Sequence, residues 1–284
     1  MTVDGGAASR RRRLRTKVRP PNGWPQPVQL TAGAPAPAVP RSGTMGAACG
    51  TTPGGSSSSS AVAGGLFIKE RHPDYVLVKC ALDPETLGTT EKFLRRKRPQ
   101  PAKMKNEGGD SDDERKARYD DRDSRVSWFN AKSECPSLHR RLVEVVQSVG
   151  NKEWPLLNVD SAGRLDCVFE QTQYAVYGPN QHFKAWHQDA YAEGHDMEDA
   201  RQITIVAMIS EKRNFTGGEF QVKVLAPSGK KVIRSVPLDA GDAVVFPAKR
   251  LVHRVQAVKT GIRKTLVFWA NDPMSCKYYA EKGF

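Results

Sequence analysis

Gly261-Ile262-Arg263-Lys264-Thr265-Leu266-Val267-Phe268-Trp269 is an apolar run with a guanidinium set near its head. Over 265–270 it reads as a strand. Seven similar runs precede it, at 165–177, 183–189, 202–210, 219–225, 232–236, 243–246 and 252–258. Turn formers punctuate them: Gly178-Pro179, Gly217-Gly218, Pro227-Ser228-Gly229, Ala240-Gly241 and Thr260-Gly261. Helical signals lie upstream. Asp83-Pro84-Glu85 offers a capping acid and then Pro at the first helical position. Within 136–149, Leu138, Leu142, Val145, Val146 and Val149 recur at three- and four-residue steps, with Arg140, Arg141 and Glu144 on the other face. Residues 74–80 read as one more strand. Eight strands after a helical lead-in predict a mainly β fold with flanking helices (α+β), a sandwich or barrel.

Outside this region the chain changes character. Of 284 residues, 38% are hydrophobic, and 44 Lys+Arg against 31 Asp+Glu leave a net charge of +13. An acidic buffering protein is excluded, and contact with anions is plausible on charge grounds. No apolar stretch approaches the roughly 18 residues of a membrane span, so no membrane association is expected. Residues 1–65 are rich in Gly, Ala, Pro and Ser, and their eight basic residues against one acid supply +7 of the total. Such a segment buries too little apolar area to offset its chain entropy and is expected to be disordered. Three readings are open for it: an inert tail, an organelle transit peptide, or a nuclear-import or nucleic-acid patch at 10–17. The expected organisation is this tail, a helix and strand support region over 66–160 with a charged surface loop at about 95–123, and a β domain over 161–284. That loop is read as a solvated insertion, with a lid over substrate as the sharper alternative. No secretory signal is seen, and Cys49, Cys80, Cys135, Cys167 and Cys276 never form C-x-x-C. Free thiols in an intracellular compartment (cytoplasmic, organellar or nuclear) are expected.

Of the six histidines, His187 and His253 stand out by context. His187-Gln188-Asp189 ends a predicted strand, and residues i and i+2 of a strand share a face. An imidazole and a carboxylate can then converge on one cation. His253 heads another strand and would supply a third ligand, leaving metal positions open. Two His and one carboxylate with open sites is the non-haem Fe(II) arrangement that activates oxygen. Arg263 has several readings. It pairs with an internal acid, faces solvent, or points inward and binds the carboxylate of a dicarboxylate cosubstrate.

The order of motifs resembles the Fe(II)- and 2-oxoglutarate-dependent dioxygenases, and within them a prolyl 4-hydroxylase-like branch. The resemblance spans about 166–272. It is carried by Tyr177-Gly178-Pro179 running to His187-Gln188-Asp189, by Arg201-Gln202-Ile203-Thr204, by Gly217-Gly218-Glu219 and by Ala240-Gly241-Asp242. His253 to Val258 and Gly261-Ile262-Arg263 close it. It implies a double-stranded β-helix (jelly roll) core. It also implies Fe(II) held by His187, Asp189 and His253, with these as the catalytic residues. Arg263 would pair with the distal carboxylate of 2-oxoglutarate, with Thr265 and Tyr177 beside it and Thr204 and Trp269 on the cosubstrate wall. The implied reaction uses O2 to hydroxylate a C–H bond of a prolyl or related protein residue, releasing succinate and CO2, with L-ascorbate as reductant. Collagen-type members usually hold Lys where Arg263 stands, which argues against a collagen substrate. The expected partner is a protein or peptide, possibly proline-containing on that resemblance. A nucleic-acid demethylase, which the basic tail would suit, is not favoured, because repair enzymes of that type carry a second arginine where Trp269 stands. The alternative outside enzymes is a non-catalytic β-helix binding module.

Overall fold

The computed structural model describes residues 60–62, 66–102, 121–191 and 197–281. The expected tail over 1–65 lies outside these residues except for Ser60–Val62, which is a strand. Most of the charged loop, 103–120, also lies outside them, as does His195. Among the described residues, nineteen strands follow in chain order. They are β1 (Ser60–Val62), β2 (Leu66–His72), β3 (Tyr75–Lys79), β4 (Gln100–Pro101), β5 (Arg122–Asp123), β6 (Arg125–Phe129), β7 (Asn158–Val159), β8 (Leu165–Asp166), β9 (Val168–Phe169) and β10 (Thr172–Tyr177). Then come β11 (His182–His187), β12 (Arg201–Met208), β13 (Phe215–Gly217), β14 (Phe220–Leu225), β15 (Lys231–Val236), β16 (Ala243–Pro247), β17 (Val252–Val255), β18 (Val258–Gly261) and β19 (Arg263–Asn271). The longer helices are α1 (Pro84–Leu94), α2 (Pro136–Val145) and α3 (Pro273–Glu281).

All pairings are antiparallel. A ten-stranded sheet runs β1-β2-β3-β16-β12-β19-β10-β6-β4, with β9 also on β19. A five-stranded sheet runs β15-β14-β17-β11-β5. The fold is mainly β with flanking helices, a jelly roll as expected. The support region is no separate body: β2, β3 and β6 are strands of the large sheet.

The central strands are buried on both faces, which explains their near-continuous apolar sequence. Along β12, Ile203, Ile205 and Ala207 join one core with Leu138, Leu142 and Val145 of α2. The alternate residues Val206 and Met208 join a second core with Phe220 and Val222 of β14 and Val255 of β17. Strand β16 divides likewise, Ala243 and Val245 against Val244 and Phe246. Each fully buried side chain of this size contributes roughly 1.5–3 kcal/mol, so the two cores fix the positions of the inward residues between the sheets.

The Asp83 carboxylate accepts from the Thr86 N–H at 2.9 Å and caps α1. The predicted helix over 136–149 instead ends at Val145 and continues as a wider turn, Val146–Gly150. That turn lays Gly150 on the sheet, where a Cβ would stand 2.9 Å from Ile203 Cγ2. The expected strand over 165–177 is three pieces, β8, β9 and β10. The one over 252–258 divides into β17 and β18, which belong to different sheets. No helix of the described residues is long and apolar enough to cross a membrane. The four described cysteines are free; Cys135 is buried and Cys80 exposed.

Candidate active site

His187 and His253 face each other across the β11–β17 pair, with their ring centroids 4.3 Å apart. Each ring is oriented by its own strand. His187 Nδ1 donates to the Ala185 carbonyl at 3.0 Å, and His253 Nδ1 to the Leu251 carbonyl at 3.1 Å. A carbonyl only accepts, so Nδ1 carries a proton, and in the neutral imidazole Nε2 is then the nitrogen with the free lone pair. Asp189 follows β11, and its Oδ1 lies 3.9 Å from His187 Nε2 and 3.8 Å from His253 Nε2. The three ligand atoms fall within 4.8 Å of one another, a cluster that could hold one metal ion. Phe183 stacks on His187 at 3.9 Å, and Phe220 and Phe246 pack on His253.

Burial, aided by the neighbouring His253, pushes His187 far below its ordinary value, so the imidazole is unprotonated near neutrality. Burial alone would raise the Asp189 carboxyl. His253, His187, Arg201 and the Thr204 hydroxyl together outweigh it and hold the group below its ordinary range. A neutral imidazole and a carboxylate are the protonation states that a cation requires.

Strand β19 places Arg263, Thr265, Val267 and Trp269 on one face, toward a cavity of about 340 Å³ that they line with His187, Asp189 and His253. That volume suits a small ligand. Arg263 is 1% exposed. Its Nη1 donates weakly to Thr265 Oγ1 at 3.4 Å, while Nε and Nη2 have no partner among the described residues. Tyr177 stands opposite it in the β10–β19 register, with its ring centroid 5.3 Å from the guanidinium carbon. Glu219 acts on Arg263 through space without forming an ion pair, and burial lowers the guanidinium from its ordinary value. Arg263 points inward, and no acid of the described residues pairs with it.

Thr204 and Trp269 meet on the Asp189 carboxylate. The Thr204 hydroxyl and the Trp269 indole N–H both donate to Asp189 Oδ2, at 2.8 and 3.2 Å. Thr204 does not line the cavity, whereas Trp269 does. The reason is register: Thr204 pairs with Trp269 across β12 and β19, so both point at the same carboxylate.

The sequence reading gave no role to several residues of the cavity. Arg122 lies 4.6 Å over the Phe183 ring, and its Nη2 donates to Gln173 Oε1 at 3.1 Å. Trp128, on β6, stacks on Trp269 at 5.8 Å. Arg201 makes a bidentate pair with Glu170. A charge at the head of the apolar run 201–208 was the available signal for Arg201. Its partner lies 31 residues away, where no spacing rule reaches.

The model of the 2OG-Fe(II) oxygenase superfamily matches residues 172–271, a stretch that includes Tyr177, His187, Asp189, His253 and Arg263. Over residues 172–271 the chain matches that superfamily. Among solved structures, this chain is similar to a prolyl hydroxylase from Trichoplax adhaerens, in complex with a hypoxia inducible factor oxygen degradation domain peptide fragment. The TM-score is 0.52 and the identity 11%, over 72% of this chain and 87% of that one. At that identity the likeness is one of fold. A Pseudomonas putida prolyl-4-hydroxylase aligns at 17% identity and a TM-score of 0.48, over 70% of this chain and 92% of that one. A viral collagen prolyl hydroxylase from Paramecium Bursaria Chlorella virus-1 aligns at 17% and 0.42, over 70% and 96%. A search of curated proteins finds no match to this chain.

Proposed function

We propose that this protein is a hydroxylase dependent on Fe(II), 2-oxoglutarate and O2, acting on a prolyl or related residue of a protein or peptide. The observation that carries the cosubstrate is Arg263. A fully buried guanidinium with two nitrogens unpartnered is costly, and a ligand carboxylate at that end of the cavity would satisfy it. The metal fits equally well on donor chemistry: two imidazoles with free Nε2 lone pairs and one carboxylate, within reach of a single ion. His187, Asp189 and His253 would hold Fe(II). Arg263 would hold the distal carboxylate of 2-oxoglutarate in a bidentate contact, with Thr265 and Tyr177 beside it.

Fe(II) held there would supply oxygen activation for hydroxylating a C–H bond, with succinate and CO2 as coproducts. The chain's own part is placement and shielding. Phe183, Phe220 and Phe246 line the imidazoles with apolar surface that limits water access. An acid at 189 occupies the third ligand position, which a halogenating enzyme would leave to a halide, and this favours hydroxylation. The prolyl reading rests on the motif resemblance and on the substrate of the Trichoplax protein. It also suits the cavity rim, where the partly exposed rings of Trp128 and Tyr191 offer flat faces to a small apolar ring. L-ascorbate as reductant rests on the resemblance alone.

The test is succinate formation from 2-oxoglutarate with Fe(II), with and without proline-rich peptides, run beside His187→Ala. Peptide-stimulated turnover abolished by the substitution is the expected result. Turnover that survives His187→Ala rules out the proposed iron site. Stimulation by methylated nucleic acid and not by peptide would replace the prolyl reading with demethylation.

A further inference from the structure

Asp189 sits beyond the end of β11, where no strand ladder fixes it, yet it must present one oxygen to the imidazoles. A second set of contacts holds it from behind. Arg201 is 6% exposed, and its Nε and Nη2 donate to the two carboxylate oxygens of Glu170, each at 2.7 Å. Its third arm, Nη1, donates to the Asp189 backbone carbonyl at 3.1 Å. The same guanidinium lies 4.1 Å from the ring centroid of Trp269, whose N–H reaches Asp189 Oδ2. Asn271 donates to Glu170 Oε1 at 3.0 Å, and the Ala248 carbonyl accepts the Asp189 N–H at 3.2 Å.

We infer that Arg201, tied down by Glu170, is a positioning residue that holds Asp189 as a one-oxygen metal ligand, directly through its backbone and indirectly through Trp269. A buried ion pair adds little to stability against an apolar replacement, so stability alone gives little reason for one here. The geometry gives a better reason. A planar fork anchored on Glu170 leaves one N–H for the Asp189 carbonyl and one flat face for the indole, a set of contacts that Lys cannot reproduce. Trp269 and Thr204 then occupy Oδ2 with two donors, leaving Oδ1 as the oxygen that faces the imidazoles. Partners behind a metal ligand of this kind typically govern affinity by about 10–100-fold.

The inference rests on the iron-site reading above, and the experiment separates the two. Co(II) is titrated by visible absorption into the metal-free full chain without 2-oxoglutarate, for the parent, His187→Ala, Arg201→Lys, Glu170→Gln and Trp269→Phe, with thermal unfolding of each. His187→Ala should lose Co(II) binding; if it does not, the site reading itself fails and this inference with it. Given that loss, Arg201→Lys and Glu170→Gln should weaken Co(II) binding by about 10–100-fold, with an altered Co(II) band shape. Trp269→Phe, which keeps an aromatic ring but loses the N–H and part of the indole volume, should weaken it by about tenfold. Parent-like Co(II) affinity in Arg201→Lys and Trp269→Phe overturns the inference, whether or not melting temperatures fall. Should Arg201→Lys fail to fold, Trp269→Phe decides alone.

Discussion

Replacing Arg263 by Met should move stability and cosubstrate binding in opposite directions. In the ligand-free protein the guanidinium is fully buried, and Nε and Nη2 lack partners among the described residues. Each unsatisfied buried polar group costs about 1–3 kcal/mol; the cavity opens to solvent, so the lower end applies. Against the roughly 2 kcal/mol recovered stand the lost contact with the Tyr177 ring, about 0.5–1 kcal/mol, and the space left by a shorter side chain. The net is a gain of about 1 kcal/mol or less, a rise of up to about 2–4 °C in melting temperature for a domain of this size. Binding moves the other way. Two charge-assisted hydrogen bonds to a carboxylate, at about 1.5–3 kcal/mol each, are lost, so 2-oxoglutarate affinity should fall on the order of 10²- to 10⁴-fold. Thermal unfolding of parent and Arg263→Met, with and without saturating 2-oxoglutarate and Mn(II), reads both effects. A variant that melts several degrees lower and is still stabilised by 2-oxoglutarate as the parent is would refute the reasoning. It would mean that Arg263 is a structural cation satisfied within the fold.

Gly218 has φ +63°, and a Cβ there would lie 2.9 Å from Arg263 Cδ and 3.0 Å from Val258 Cγ2. Gly218→Ala should therefore cost about 1–3 kcal/mol and, by displacing the arginine stem, weaken 2-oxoglutarate binding measurably in calorimetry; a parent-like dissociation constant would contradict this. In the metal-free protein, His187 is depressed to about 3, whereas an unfolded imidazole titrates near about 6.5. Between these values the unfolded chain binds the extra proton. Stability is thus complete above the unfolded value and falls as pH drops toward the folded one. Urea midpoints followed from about pH 7 to about pH 5 should fall more steeply for the parent than for His187→Asn, and parallel slopes would count against the burial of this ring. Asp242, 1% exposed, accepts from Lys79 Nζ at 2.6 Å and from the Cys80 and Asp239 N–H groups. Asp242→Ala should lower stability by about 2–4 kcal/mol yet leave Co(II) affinity as in the parent, which a Co(II) titration checks.

The strand content and the cluster of His187, Asp189 and His253 could be read in the chain because both follow short-range rules. Short apolar runs and turn formers mark β11, β12 and β19, and H-x-D puts two donors near one point within three residues. Arg263 was legible as a charge in an apolar run, but its direction needed the β10–β19 register, which sets Tyr177 opposite it. What the sequence could not carry was the carboxylate's support. Thr204 and Trp269 meet on Asp189 only because β12 and β19 are neighbours in the sheet, and the Arg201–Glu170 pair joins positions with no periodic relation. The same limit explains the misread helix end at Val145, where contact of Gly150 with Ile203, rather than local propensity, sets the geometry.

The most direct measurement is an anaerobic crystal structure of the full chain with Mn(II) and 2-oxoglutarate. The account predicts manganese bound by His187 Nε2, Asp189 Oδ1 and His253 Nε2, and the far carboxylate of 2-oxoglutarate on Nε and Nη2 of Arg263. Manganese held elsewhere, or an Arg263 satisfied by a protein carboxylate while the cosubstrate lies apart from it, would contradict the account.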